Sequence, residues 1–392
     1  MTVGIYGILA LTLTRISGAS RSGSAKTSAQ AVGSLQVVAP LDGAVYRAGV
    51  PVPVRAALLE PDFVRVDLLV EGVSMEAQIN PEPQAVPWMV EWTWEDTVEG
   101  RYLVHLQAGG RDGDLQASEA VTVTVVPTGH LIFASNRSGP YAIFAMQSDG
   151  KSVARLTSGP GGARQPDVES GGKLVYVTEP EPGQKVIRQL DKDGQDSELF
   201  AGREPAWSDD GQRLAYTSSQ EGVSQVSSAS IAEGVSSIVT EEQVYAGQGS
   251  WAPDGERLAY VAEREGNWDI WVAHLDGSQP RRLTQDPAMD WAPAWSPDGS
   301  QIAFVSDRNG RHQIYAMRAD GSGVHVLTNM AQGAEAPAWS PDGFWLAFVA
   351  YTGAGEGIAA REIHLMQADG RHQVRLTYNL VDDTEPVWRP AP

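Results

Sequence analysis

Four carboxylates in the second half of this 392-residue sequence, Glu204, Asp290, Glu335 and Glu385, could do acid–base chemistry if a fold gathered them around one axis. Sugar-bond cleavage needs such a pair, one group to protonate the leaving oxygen and one to attack or activate water. The segment Asp191-Lys192-Asp193-Gly194-Gln195-Asp196 superficially resembles a calcium loop, but Gly202 stands where the twelfth-position glutamate belongs. Seven histidines (His105, His130, His274, His312, His325, His364 and His372) are scattered rather than clustered. No Gly-x-Ser-x-Gly elbow, P-loop, HExxH or helix-opening GxGxxG occurs. Zero cysteines exclude thiolate zinc sites. No cofactor or metal is expected.

The elements that would position those carboxylates are legible as a repeat. PAWSPDG occupies residues 293–299 and 337–343, with weaker copies PAWSDDG from Pro205 and SWAPDG from Ser250. Strand-like runs follow at Leu214, Leu258, Ile302 and Leu346, and two further runs start at Leu131 and Leu174. The six starts are separated by 43, 40, 44, 44 and 44 residues, the period of a propeller blade with four short strands.

Within one repeat, Ala294-Trp295 predicts a short first strand and Ser296-Pro297-Asp298-Gly299 a turn. Residues 302–306 and 313–317 predict the second and third strands, and 324–328 the outer one. An Asp-Gly pair at Asp149, Asp193, Asp276, Asp320 and Asp369 always follows the third strand, so it reads as a hairpin turn. That assignment absorbs the calcium-like segment. The first run, at Leu131, lacks a Trp-Ser-Pro strand before it, while Glu385-Pro386-Val387-Trp388-Arg389-Pro390 is such a strand with nothing after it. Six blades closed by the C-terminal strand are the expected ring, which would protect exposed sheet edges.

These phrases resemble the repeats of the TolB propeller family from about Gly129 onward. The Pro-x-Trp-Ser-Pro-Asp-Gly turn, the Ile-Ala-Phe strand, Ser306-Asp307-Arg308 and the closing Leu-Thr pairs at Leu156, Leu283, Leu327 and Leu376 carry that resemblance. It implies an extracytoplasmic scaffold with partners docking at the channel mouth. The α/β domain that precedes the propeller in TolB itself is not found here, so an orthodox TolB is not expected. Propellers of this kind sometimes precede a serine peptidase, and the sequence shows no such continuation.

Residues 35–127 instead predict a β-sandwich similar to bacterial Ig-like domains: strands of five to eight residues, among them VRVDLLV from Val64 and VTVTVV from Val121, bounded by turn signals. The first 34 residues hold an apolar run, 4–13, too short to span a bilayer, and a Ser/Gly/Ala-rich stretch. They predict a signal remnant and linker. A formal charge of −20 with no basic stripe makes nucleic acid and anionic membrane surfaces poor partners. Membrane contact is expected only through an N-terminal signal or anchor.

Segments joining an outer strand to the next inner strand border the channel mouth. They hold Arg164, Glu204, Asp290, Trp291, Glu335, Asp383 and Glu385, an acidic rim with one tryptophan outside the repeat position. Such a rim would attract a basic or polar peptide, and Trp291 would anchor it. Charge reversal at Asp290, Glu335 and Asp383 is expected to weaken capture. The residues 351–360 predict a flap, and the Ser-rich unit from Ser224 a soft blade.

The sequence thus predicts an all-β, monomeric, periplasmic or extracellular protein: linker 1–34, Ig-like sandwich 35–127, six-bladed propeller 128–392. Its expected role is non-enzymatic binding of a protein or peptide in the cell envelope. The competing reading is an enzyme acting on a carbohydrate or small ligand through the channel carboxylates.

Overall fold

The computed structural model describes residues 34–60, 62–79, 86–95, 97–159, 161–240, 245–353 and 360–389. The apolar run at 4–13 and most of the expected flap, 354–359, lie outside these residues. Every regular element described is a strand, and no helix is long and apolar enough to cross a membrane.

Alternating burial along Val52–Leu58 turns Val52, Val54 and Ala56 inward and Pro53 and Arg55 outward, the signature of a sheet with one dry face. That strand lies between Leu35–Ala39 and Trp88–Trp94 in a three-stranded sheet. A second sheet runs Ala44–Arg47, Val121–Val126, Gly100–Gly110, Phe63–Val70, Val73–Ile79, with the first pair parallel. Trp92, Trp94, Leu68, Leu106 and Val123 fill one core between the two sheets.

The rest of the described chain forms six four-stranded antiparallel sheets. Their innermost strands are Arg164–Val168, Arg203–Trp207, Ala246–Trp251, Asp290–Trp295, Ala334–Trp339 and Asp383–Arg389. Each lies against the next, and Asp383–Arg389 touches both Ala334–Trp339 and Arg164–Val168. Asp383–Arg389 also pairs with His130–Ser135, the second strand of the sheet nearest the sandwich.

The inner strand extends four residues further back than Ala294-Trp295. Asp290 and Trp291 pair with Ser306 and Val305, after which the register skips by one residue before Ala294 meets Ala303. All six inner strands carry this bulge. The two residues preceding the Pro-x-Trp phrase are therefore sheet, not loop.

The recurring motifs work across sheet boundaries. In five sheets the closing threonine accepts a hydrogen bond from a third-strand N–H, as Thr328 Oγ1 does from Ile314 at 2.9 Å. The glycine of the Asp-Gly turn packs against the carbonyl before that threonine in the preceding sheet: Gly321 on Leu283, Gly370 on Leu327, and Gly150 on Leu376. Trp339 Nε1 donates to Ala294 O at 3.0 Å, and Trp388 Nε1 to Ala338 O at 3.2 Å.

The sandwich meets these sheets at the end carrying the SPDG and Asp-Gly turns. Trp345, 1% exposed, donates its indole N–H to Glu99 Oε2 at 2.7 Å. Val45 and Val126 join the same apolar cluster, and Lys151 lies over the Tyr46 ring at 4.9 Å.

Candidate binding site at the channel mouth

At the opposite end, the first three residues of each bulge follow one pattern: a variable residue, a residue with left-handed backbone, then usually proline. The left-handed residues are Gln165, Glu204, Gln248, Ala292, Ala336 and Glu385, with φ between 50° and 56°. The bulge turns them across the axis toward the neighbouring strand rather than into the blade. Together the six strands line a cavity of about 430 Å³, whose wall also includes Trp291, Glu335 and Arg361.

A belt of hydrogen bonds runs round this rim. Four of the six left-handed residues donate their backbone N–H to the side chain of the counterpart one strand back. Gln165 N donates to Glu385 Oε2 at 2.6 Å, and Glu204 N to Gln165 Oε1 at 3.0 Å. Gln248 N then donates to Glu204 Oε2 at 3.1 Å, and Ala292 N to Gln248 Oε1 at 2.8 Å. There the belt stops, because Ala292 and Ala336 carry no acceptor.

Each glutamate of the expected acidic rim is paired with an arginine, and Arg361 also reaches Asp382 at 3.6 Å. Arg164 pairs with Glu385 at 2.8 Å, Arg203 with Glu204 at 3.7 Å, and Arg361 with Glu335 at 3.2 Å. Tyr351 also donates its hydroxyl to Glu335 Oε2 at 2.6 Å. Burial pushes the Glu385 carboxyl up, and Arg164 holds it back. Arg361 lies on a third strand, so inspection of the inter-sheet segments alone misses it.

Beyond the prolines the channel is lined by the repeat tryptophans and Asp167. Asp167 accepts from Trp207 N at 2.6 Å. It is half-buried at the channel wall, and desolvation there pushes its carboxyl up to about 7. Among the described residues no group of three or more His, Asp or Glu could hold a metal ion. Asp191 accepts from Asp193 N and Gln195 N within its hairpin turn.

The TolB beta propeller domain family matches residues 173–359. The C-terminal part of this chain is a TolB-like β-propeller. Similar solved structures include TolB from Acinetobacter baumannii, at 19% identity over 75% of this chain and 81% of that one, TM-score 0.59. A TolB-type protein from Agrobacterium tumefaciens is 23% identical over 66% of this chain and 91% of that one, TM-score 0.54. A chain of a Nidogen/Laminin complex is 13% identical over 66% and 97%, TM-score 0.52. At these identities the likeness is one of fold. No curated protein matches the chain.

Within the propeller, Arg164, Glu204, Trp291, Glu335 and Glu385 all line the mouth cavity. Trp291 stands edge-on to the His312 ring, with centroids 4.8 Å apart, and packs partly against the blade core. Asp290 and Asp383 do not line it. Their side chains are fully buried, Asp290 with Arg308 at 2.9 Å and Asp383 with Arg137 at 2.6 Å. Each arginine also hydrogen-bonds the serine two residues before it, Ser306 or Ser135. The Ser-Asp-Arg motif is thus a clamp between first and second strands, and the charge reversals expected there would strike the fold instead.

Proposed function

We propose that this chain is a non-enzymatic binding protein of the cell envelope whose propeller mouth receives a peptide segment of a protein partner. The observation that carries this reading is the engagement of every mouth glutamate. Glu204 accepts from Thr217 and Gln248, Glu335 from Tyr351, and Glu385 from Arg164 and Gln165. Carboxylates used in this way hold the rim's shape, whereas an acid–base pair needs oxygens available to substrate. A wide rim of mixed donors and acceptors, with Trp291 exposing part of its ring, suits an extended peptide.

The reading includes six blades in a ring closed by Asp383–Arg389, preceded by an Ig-like sandwich over about 35–127. The pairing of that strand with His130–Ser135 supports the closure. The parallel pairing of Ala44–Arg47 with Val121–Val126 at the sheet edge supports an Ig-like topology. The sandwich grips the far end of the propeller and leaves the mouth to the partner. The extracytoplasmic location, periplasmic or extracellular, rests on the resemblance to TolB propellers.

The test is affinity capture from an envelope extract of the native organism with the full chain and its Trp291→Ala and Glu335→Arg variants. A protein retained by the native chain and lost by both variants, with amide-exchange protection at the rim, is the expected result. Equal retention by all three would remove the mouth as the binding site.

A further inference from the structure

The interrupted belt is the unusual feature of this mouth. Four links join five of the six left-handed residues, and two alanines open the remainder. By repeat equivalence, the backbone N–H groups of Ala336 and Glu385 face the positions that glutamine or glutamate side chains would fill from residues 292 and 336. No other side chain replaces them among the described residues. Thr217, which shares the Gln248 N–H at 3.2 Å in the third sheet, is matched by Val305 and Val349 in the fifth and sixth. The gap is bounded by Trp291 on one side and by Glu335 and Glu385 on the other, within the 430 Å³ cavity.

Resting on the peptide-binding reading above, the geometry points to the gap as a subsite for a carboxamide side chain, glutamine or asparagine, of the inserted peptide. The ligand supplies the oxygen that Ala292 and Ala336 omit. A carboxamide oxygen is what Gln165 and Gln248 present to the equivalent N–H groups, at 3.0 and 2.8 Å, so glutamine or asparagine reproduces the repeat's own contact. The Trp291 ring offers a face for the methylene stem.

The gap can be closed by the repeat's own solution. Gln165 and Gln248 hold the same backbone conformation, with φ of 52° and 56° against 50° and 54° at Ala292 and Ala336, so glutamine fits both sites without new strain. The experiment follows the backbone amide resonances of the ¹⁵N-labelled full chain during titration with N-acetyl-glutamine methylamide. Its leucine and glutamate analogues serve as comparators. Saturable shifts at Ala336 and Glu385 are expected, about three- to tenfold tighter with the glutamine probe than with leucine. The double variant Ala292→Gln/Ala336→Gln should lose those shifts and melt at a higher temperature. Unmoved amides, equal response to leucine, or a lower melting temperature in the double variant would overturn the proposal. Tighter binding of the glutamate probe would overturn the carboxamide assignment. Shifts at Trp291 and Gln165 without Ala336 and Glu385 would sink this subsite yet leave mouth binding standing.

Discussion

Trp345 Nε1 lies 2.7 Å from Glu99 Oε2, joining the propeller to the sandwich through one fully buried indole. The same repeat position holds His130, Lys173, Arg213, Arg257 and Gln301 in the other sheets, all polar. The sandwich covers this one site, which is why it alone holds a large apolar ring. Trp345→Gln, which copies the neighbouring repeat, should cost about 3 kcal/mol through lost burial. Glu99→Gln keeps an acceptor and should cost under about 1 kcal/mol. Calorimetry is the check: Trp345→Gln should separate sandwich and propeller melting, and an unaltered profile would show that the contact does not couple them.

Gly370 and Gly310 both have left-handed backbone, with φ of 84° and 79°. A β-carbon on Gly370 would stand 2.5 Å from the Leu327 carbonyl oxygen, whereas one on Gly310 meets nothing within 4 Å. Gly310→Ala should therefore cost only the backbone term, about 1–2 kcal/mol. Gly370→Ala must also push two blades apart and should cost at least twice as much. Urea midpoints compare them directly; equal losses would mean the blade boundary yields freely at this turn.

The clamp residues separate fold from binding. Removing the carboxylate in Asp290→Ala takes the closest partner from the partly buried Arg308, leaves it Asp286 at 4.0 Å, and should cost about 2–3 kcal/mol. Glu335→Arg sits at the cavity wall, where Tyr351 and Arg361 can turn toward water, and should change melting far less. Thermal denaturation of the two variants tests this ranking. Loss of partner capture by Glu335→Arg with its melting intact would mark a binding residue, while a shared collapse would assign both to the fold.

The propeller was legible because its cues repeat. A misread turn in one unit is corrected by the same turn 44 residues on, and Trp, Pro-Asp-Gly and Asp-Gly fix three positions per unit. The mouth was legible in part. Arg164, Glu204, Trp291, Glu335 and Glu385 follow from strand order alone, since any residue just ahead of an inner strand must border the axis. Asp290 and Asp383 do not, because the bulge carries the strand back to include them and turns their side chains toward Arg308 and Arg137. The signal was present: both Ser-x-Arg turns, at Ser306 and Ser135, supply the matching cation. The break in the belt is written as alanines at 292 and 336, and small residues attract no notice until the backbone shows what their counterparts hold.

Asp167 gives the propeller a predictable pH dependence. Half-buried at the channel wall, its carboxyl is pushed up by burial to about 7, while in the unfolded chain it titrates near the ordinary value of about 3.9. Between those limits the native state keeps a proton that the unfolded chain has released. Raising the pH therefore favours unfolding: the penalty is absent below about 4, grows across the window and is fully developed above about 7. Its size is roughly 2–4 kcal/mol. Asp167→Asn retains an acceptor for the Trp207 N–H, which the carboxylate now receives at 2.6 Å, and removes the ionisation. The variant should match the native protein near pH 4 and exceed its stability increasingly toward pH 8. Paired urea titrations at several pH values read that difference directly. A constant offset across the range would mean that Asp167 is solvated through the channel and titrates as an ordinary aspartate.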